Sequence, residues 1–302
     1  MFNKSLLVNK LVNSLLSKQF QVLLSQGSFD IAAKRENLML VKSALNIDSV
    51  NENQMKSLKS ISFFLSAYPL IVSVKNNREF LNDQMVYSRF DLPVITPTLF
   101  ENFLEQEKIP VVDSSRGRHT IKIDTMVLRK KREDLGFSLK QLSSFIGISK
   151  KALYEIEKNR VNPTEDTVNR LEKTLQIELR NNFELKKTSE PVYLKPKNEF
   201  QQEVSNEFKR IGMDNSVVYS SPFEIVGKSK FSLITHLSKT ESKMEKDASA
   251  VKQLSNVFSS KAVLVLKKSR EENMDGVPII LEKELSELES SKDLDKRLKE
   301  KS

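Results

Sequence analysis

The stretch "FIGISKKALYEIEKNR", residues 145–160, decides the reading of this chain. Gly147 tolerates the left-handed backbone that ends one helix, and Ser149 is placed to cap the next. Ala152, Leu153 and Ile156 fall on the inward face of that second helix, while Lys150 and Lys151 leave its first turn on the outward side. A short helix anchored by one face and cationic at its start is suited to approach a polyanion end-first.

Working outward, the apolar spacing between residues 125 and 179 predicts five short helices around one core. The first covers 125–135, with Leu128 and Leu135 inward. Ser138 caps the second, Gln141 completes a capping box, and Leu139, Leu142, Phe145 and Ile146 supply its apolar face. After the helix of Leu153 and Ile156, Pro163-Thr164 starts a fourth. Glu165 and Asp166 sit in its first turn, where the helix dipole favours them, and Val168, Leu171 and Leu175 face inward. A short fifth helix is expected from about Gln176.

Residues 128–175, "LRKKREDLGFSLKQLSSFIGISKKALYEIEKNRVNPTEDTVNRLEKTL", resemble the helix-turn-helix domain of the phage lambda repressor and Cro type. Arg132, Gly136, Ser138, Leu142, Gly147, Ser149, Glu157 and Pro163 are among the matching positions. Ser143 and Asn159 depart from the usual alanine and glycine, and asparagine still tolerates a left-handed backbone. The resemblance implies a structural ion pair between Arg132 and Glu157. It also implies that the third helix lies in the DNA major groove. Lys150, Lys151, Tyr154 and Glu155 would then face base edges, lysine donating to guanine and glutamate accepting from cytosine. Ser138, Lys140, Ser149, Asn159 and Arg160 would contact phosphates. The plainer alternative is a helix-turn-helix that packs against protein, with solvated lysines. Over nearly all its length the chain also resembles a family of archaeal helix-turn-helix transcriptional regulators, sharing their domain order and their "LPV" and "LR..RE..G.S" landmarks.

The charge distribution points the same way. The chain of 302 residues carries a formal +9, and residues 115–188 hold 17 Lys/Arg against 10 Asp/Glu. That quarter of the chain has a net +7, leaving +2 for the remaining 228 residues. Localised charge of this kind marks a polyanion-binding surface. Just upstream, Arg116, Arg118 and His119 surround Gly117 in "SSRGRHTIKID". They read either as an arm reaching the DNA backbone or minor groove, or as a basic interdomain loop.

The flanks are α/β in pattern. Residues 1–108 give a helix, three β-rich segments ("FQVLL", "FDIAA", "LMLVKSAL"), a helix over 51–67, then "PLIVSV", "LPVIT" and a closing helix. Residues 198–290 repeat that order. Phe29-Asp30-Ile31 aligns with Phe223-Glu224-Ile225 and continues without a gap to Lys42 against His236, which reads as an internal duplication, the alternative being two unrelated α/β domains. The first copy resembles the restriction-endonuclease and Holliday-resolvase fold, with Asp30 and Lys42 in the places of its aspartate and lysine. Those enzymes hold magnesium with the aspartate and with the acid of an acid-x-Lys triplet. Here that triplet reads Leu40-Val41-Lys42, and residues 1–29 contain no Asp or Glu. The second copy offers Glu224, Ile234 and His236. Catalysis is not expected.

Other chemistry finds no foothold. Cysteine is absent, which fits an intracellular protein and removes thiolate zinc sites. The two histidines, His119 and His236, fall in different domains, and with seven glycines no phosphate-cradling loop emerges. No signal peptide or bilayer-spanning run is evident.

The expected architecture is multidomain: an all-α helix-turn-helix domain between two α/β domains resembling a degenerate restriction-endonuclease-like fold. Its expected segments are a nuclease-like domain over 1–108 and a basic linker over 109–124. The DNA-binding domain follows over 125–185, then a linker over 186–197, the second α/β domain over 198–290 and a charged tail over 291–302. The expected function is a cytoplasmic, sequence-specific transcriptional regulator that binds double-stranded DNA as a homodimer, without metal, cofactor, small-molecule ligand or membrane. The alternatives are a structure-selective nucleic-acid processing protein and a protein–protein adaptor.

Overall fold

The computed structural model describes residues 3–105, 112–115, 118–239 and 245–301, with backbone alone at 112–115, 118–119 and 245–246. The chain forms two compact units. One comprises Met1–Glu79, Arg89–Pro93 and Leu185–Ser302, the other Phe80–Ser88 and Val94–Glu184.

The chain opens with helix α1 (Lys4–Ser17), whose first turn is capped by the Asn3 side chain accepting from the Leu6 amide. Leu7, Leu11 and Leu15 recur every fourth residue and are fully buried, so one stripe of α1 seals against the sheet. Strands β1 (Gln21–Leu24), β2 (Ile31–Lys34) and β3 (Leu38–Asn46) follow as an antiparallel meander. Helix α2 (Glu52–Phe64), capped by Asn51, carries the chain back to β4 (Tyr68–Lys75), which pairs parallel with β3. β3 is central and buried over its first seven residues, which is why "LMLVKSA" reads as a near-continuous run rather than an alternation. Adding β5 (Tyr87–Arg89) and β6 (Leu92–Ile95), the sheet order is β1-β2-β3-β4-β6-β5. Helix α3 (Pro97–Leu104), capped by Thr96, follows and belongs to the second unit.

The middle holds a hairpin of β7 (Val112–Ser115) and β8 (Arg118–Ile121), then helices α4 (Thr125–Asp134), α5 (Leu139–Ile146), α6 (Lys150–Glu157) and α7 (Glu165–Leu175). Four helices stand where five were expected. Gln176 adopts a left-handed φ of 51° and ends α7, so the chain leaves as extended backbone and Leu179 still reaches the core. The segment expected as a linker over 109–124 supplies this hairpin.

The last part comprises α8 (Glu199–Arg210), β9 (Asp214–Val217), β10 (Ile225–Lys228), β11 (Ser232–Ser238), α9 (Glu245–Phe258), β12 (Lys261–Leu266), β13 (Asn273–Met274), β14 (Val277–Leu281), α10 (Glu282–Glu287) and α11 (Ser291–Glu300). Its sheet order, β9-β10-β11-β12-β14-β13, is that of the first sheet element for element. The registers agree as well: Ile31 pairs with Val41 across β2 and β3, and Ile225 with Thr235 across β10 and β11. The charged tail is helix α11, and its Leu294 and Leu298 are buried in the same core as Phe200, Val204 and Phe208 of α8. The proline-marked stretch before α8 is pinned to this sheet, since the Leu194 amide donates to Ser216 Oγ at 3.1 Å.

Candidate nucleic-acid interface

Local sequence places every turn around α6. Asp124 caps α4 by accepting from the Met126 and Val127 amides at 3.0 and 2.9 Å. Ser138 Oγ accepts from the Gln141 amide at 3.2 Å while Gln141 Oε1 accepts from the Ser138 amide at 2.9 Å, a complete capping box on α5. Gly147 ends α5 at φ 68°, and Ser149 Oγ then caps α6 through the Ala152 amide at 3.0 Å. Asn159 ends α6 at φ 55°, doing the work of the glycine it replaces. Thr164 caps α7.

Beneath these turns lies one core of Leu128, Leu142, Ile146, Leu153, Ile156, Val168, Leu171 and Leu175, joined by Ile121, Ile123 and Leu179. Three residues expected inside it lie outside. Leu135 is 47 % exposed because α4 ends at Asp134 and Leu135 belongs to the turn that follows. Phe145 is 67 % exposed and leans edge-on against Phe137, with ring centroids 5.4 Å apart. Ala152 is also exposed, because Leu153 and Ile156 suffice to seat α6.

Arg132 and Glu157 form the expected pair. Arg132 Nε and Nη2 donate to the two carboxylate oxygens at 2.6 and 3.0 Å, and Nη1 donates to the Phe137 carbonyl at 2.8 Å. The Glu157 carboxylate holds the Arg132 guanidinium above its ordinary range, against the opposing effect of burial. This two-pronged bond fixes α4 to the end of α6.

On the outward side, Lys150, Lys151 and Tyr154 are exposed on α6. Glu155 is half-buried and held by Arg160 at 3.3 Å. The Tyr154 ring is flanked by two cations, Lys158 at 5.8 Å and Arg160 at 5.9 Å from its centroid. Ser138, Lys140, Ser149, Asn159 and Arg160 are exposed at the helix ends. Ser138 and Ser149 accept backbone amides as caps, and each hydroxyl keeps its own proton free to donate. The Glu155–Arg160 contact is solvent-accessible on its arginine side and is worth only about 0–1 kcal/mol. Lys158 was passed over in the sequence, although its four-residue spacing from Tyr154 marks it as the ring's neighbour. Arg116 lies outside the described residues, and Arg118 is described only as backbone on β8.

The other candidate site is the pair Asp30 and Lys42. Asp30 is buried just ahead of β2, and its Oδ2 accepts from the Ser43 amide at 2.8 Å and Ser43 Oγ at 3.0 Å. Its Oδ1 accepts from Lys4 Nζ at 2.8 Å and lies 3.4 Å from Lys42 Nζ, which also donates to the Gly27 carbonyl at 2.5 Å. Burial pushes the Lys42 ammonium below its ordinary range, and the Asp30 charge only partly offsets this. The donor set does not fit a divalent cation. The ammonium of Lys4 already occupies the carboxylate edge a metal would need, and Leu40 stands where the second carboxylate would be. Among the described residues, no cluster of three or more His, Cys, Asp or Glu side chains could hold a metal ion. Lys4 was missed in the sequence because only the fold brings α1 over the end of β2.

In the last part Glu224 replaces Asp30, and its Oε2 accepts from the Leu237 amide at 2.8 Å just as Asp30 accepts from that of Ser43. His236 replaces Lys42. Its Nδ1 lies 3.1 Å from Glu224 Oε2, a charge contact rather than an aligned hydrogen bond, and its Nε2 is 3.6 Å from Asp247 Oδ2. Burial pulls the imidazole down, but the Glu224 and Asp247 carboxylates together outweigh it and leave the group above its ordinary range.

Two family models match the chain. Residues 4–109 match the PD-(D/E)XK superfamily domain, and residues 128–181 match a helix-turn-helix family. A "Putative HTH-type transcriptional regulatory protein" of Pyrococcus horikoshii is 32% identical over 277 residues, covering 89% of this chain and 88% of its own. Its namesake in Pyrococcus furiosus is 31% identical over 90% of this chain and 89% of its own, and one in Methanocaldococcus jannaschii is 28% identical over 99% and 98%. No solved structure matches the chain. Among the described residues no helix is long and apolar enough to cross a membrane. With relatives this similar along nearly their whole length, and the helix-turn-helix in the same chain as the PD-(D/E)XK domain, the chain belongs to this archaeal family of HTH-type transcriptional regulatory proteins.

Proposed function

We propose that the protein reads a specific sequence in double-stranded DNA, in the cytoplasm and as a dimer, by laying α6 in the major groove. One observation carries this reading. Leu153 and Ile156 bury one side of α6 while Lys150 and Lys151 stand exposed in its first turn. Lys150, Lys151, Tyr154 and Glu155 then meet base edges. Ser138, Lys140, Ser149, Asn159 and Arg160 hold phosphates, with Arg116 and Arg118 as an arm upstream. A dimer is proposed because one such helix reads only a short half-site.

In this reading the α/β parts serve as scaffold and cut nothing. Support comes from Lys4 and Leu40, which take the places a metal and its second carboxylate would fill. The second reading, structure-selective processing of nucleic acid, is favoured by the PD-(D/E)XK match alone. An adaptor without DNA affinity is the third. Mapping the DNA bound by the protein across the genome of its own cells separates them. A regulator yields sites sharing one sequence, a processing protein yields branched or broken DNA without a common sequence, and an adaptor yields neither.

A further inference from the structure

Each α/β half grips the other at equivalent positions. Lys34 ends β2 and Lys228 ends β10, the corresponding strand. Ser66 and Ser259 each follow the long helix of their half, α2 or α9, and each has a left-handed φ, 54° and 52°. Lys34 Nζ donates to Ser259 Oγ, and Lys228 Nζ donates to Ser66 Oγ at 2.9 Å. The lysine of each half thus reaches the serine of the other. Contact of residue i with j matched by j with i is the signature of an isologous, two-fold interface.

The helices repeat that reciprocity. Helix α9 packs on β1 and β2, and α2 packs on β9 and β10. Across the junction Phe258 of the second half meets Phe29 of the first edge-on, centroids 6.1 Å apart, and also Phe223 of its own half at 6.2 Å, with all three buried. The backbone is engaged as well. The Ser28 amide donates to the Ser220 carbonyl at 2.7 Å and the Tyr219 amide donates to Ser57 Oγ at 2.9 Å. Gly27 is required at this junction, because at its φ of 113° a Cβ would lie 1.9 Å from the Ser220 carbonyl oxygen.

The second half also completes a site of the first. A cleft of about 1030 Å³ at Asp30 is lined by Lys4 and Lys42 from the first half and by Pro222, Gln253 and Leu254 from the second. Around Asp30 the wall is therefore shared.

We propose that the second α/β half is a built-in partner of the first. The two pair about a pseudo-two-fold axis, across the face by which one such unit would associate with a second copy of itself. One chain thereby supplies both halves of a dimer, walls one side of the Asp30 cleft, and offers that face to no other molecule. The homodimer proposed for DNA reading forms through a different surface.

The test uses the full-length chain, which has no native cysteine to interfere. Two double variants, Lys34→Cys with Ser259→Cys and Ser66→Cys with Lys228→Cys, are treated with a short bis-maleimide across a dilution series. Both should cross-link within one chain, at similar yield and independently of dilution. Cross-links between chains, or an intrachain link in only one pair, overturn the proposal. Hydrogen exchange on the unaltered protein guards against a misfolded variant. The Ser28 and Tyr219 amides should exchange as slowly as amides inside the sheets, and fast exchange at both overturns the pairing.

Discussion

Arg132 and Glu157 meet in a two-pronged bond, Nε to Oε1 at 2.6 Å and Nη2 to Oε2 at 3.0 Å, with only 10 % and 5 % of their side chains exposed. Breaking a shielded pair strands the surviving charge, at a cost of about 3–5 kcal/mol. Arg132→Ala should therefore lower the stability of the helical unit by that order, read by urea unfolding. Glu157→Ala should cost less in the Arg132→Ala background than alone, with a coupling of about 0.5–3 kcal/mol. Strict additivity would show that the pair contributes nothing.

His236 predicts a pH dependence for the α/β unit. Its folded value is raised by Glu224 and Asp247, so protonation favours the folded state. The stabilisation is full below the unfolded value of about 6.5 and is lost as pH rises through the folded value. Its size is on the order of 1 kcal/mol for each unit separating the two values. His236→Gln should flatten the melting temperature against pH over that window. A slope that survives the substitution would assign it to other groups.

The caps around α6 were legible because each is local: Ser138 with Gln141, Gly147, and Ser149 with Ala152 all act within three residues. The order of elements in both α/β halves was legible too, apart from the short edge strands β5 and β13, since buried stripes such as Leu7, Leu11 and Leu15 repeat at fixed spacing. What escaped was set by contacts across the chain. Lys4 neutralises Asp30 from 26 residues away, and Lys34 reaches Ser259 across 225. The segment over 291–302 read only as a charged tail, and charge does not reveal that Leu294 and Leu298 of α11 are buried in the core shared with α8. Phe145 and Leu135 show the converse, since apolar spacing does not reveal which side chain a helix end swings outward.

The Asp30 site predicts indifference to metal. Magnesium or manganese should neither raise the melting temperature nor support cleavage of duplexes, forks or four-way junctions, because Lys4 and Leu40 stand in the way. Residual DNA affinity of this part should fall with salt, as surface lysines dictate. Metal-dependent cleavage by the wild type that Asp30→Ala lacks would reverse the scaffold assignment.

The central claim rests on Lys150 and Lys151, and the most direct measurement is equilibrium binding of Lys150→Ala/Lys151→Ala to a selected operator and to random duplex at fixed salt. Both side chains are exposed on α6, so circular dichroism should be unchanged. Base contacts are worth about 1–3 kcal/mol each, so the operator should lose most of its advantage over random duplex. Undiminished preference for the operator would contradict the assignment of α6 as the reading helix.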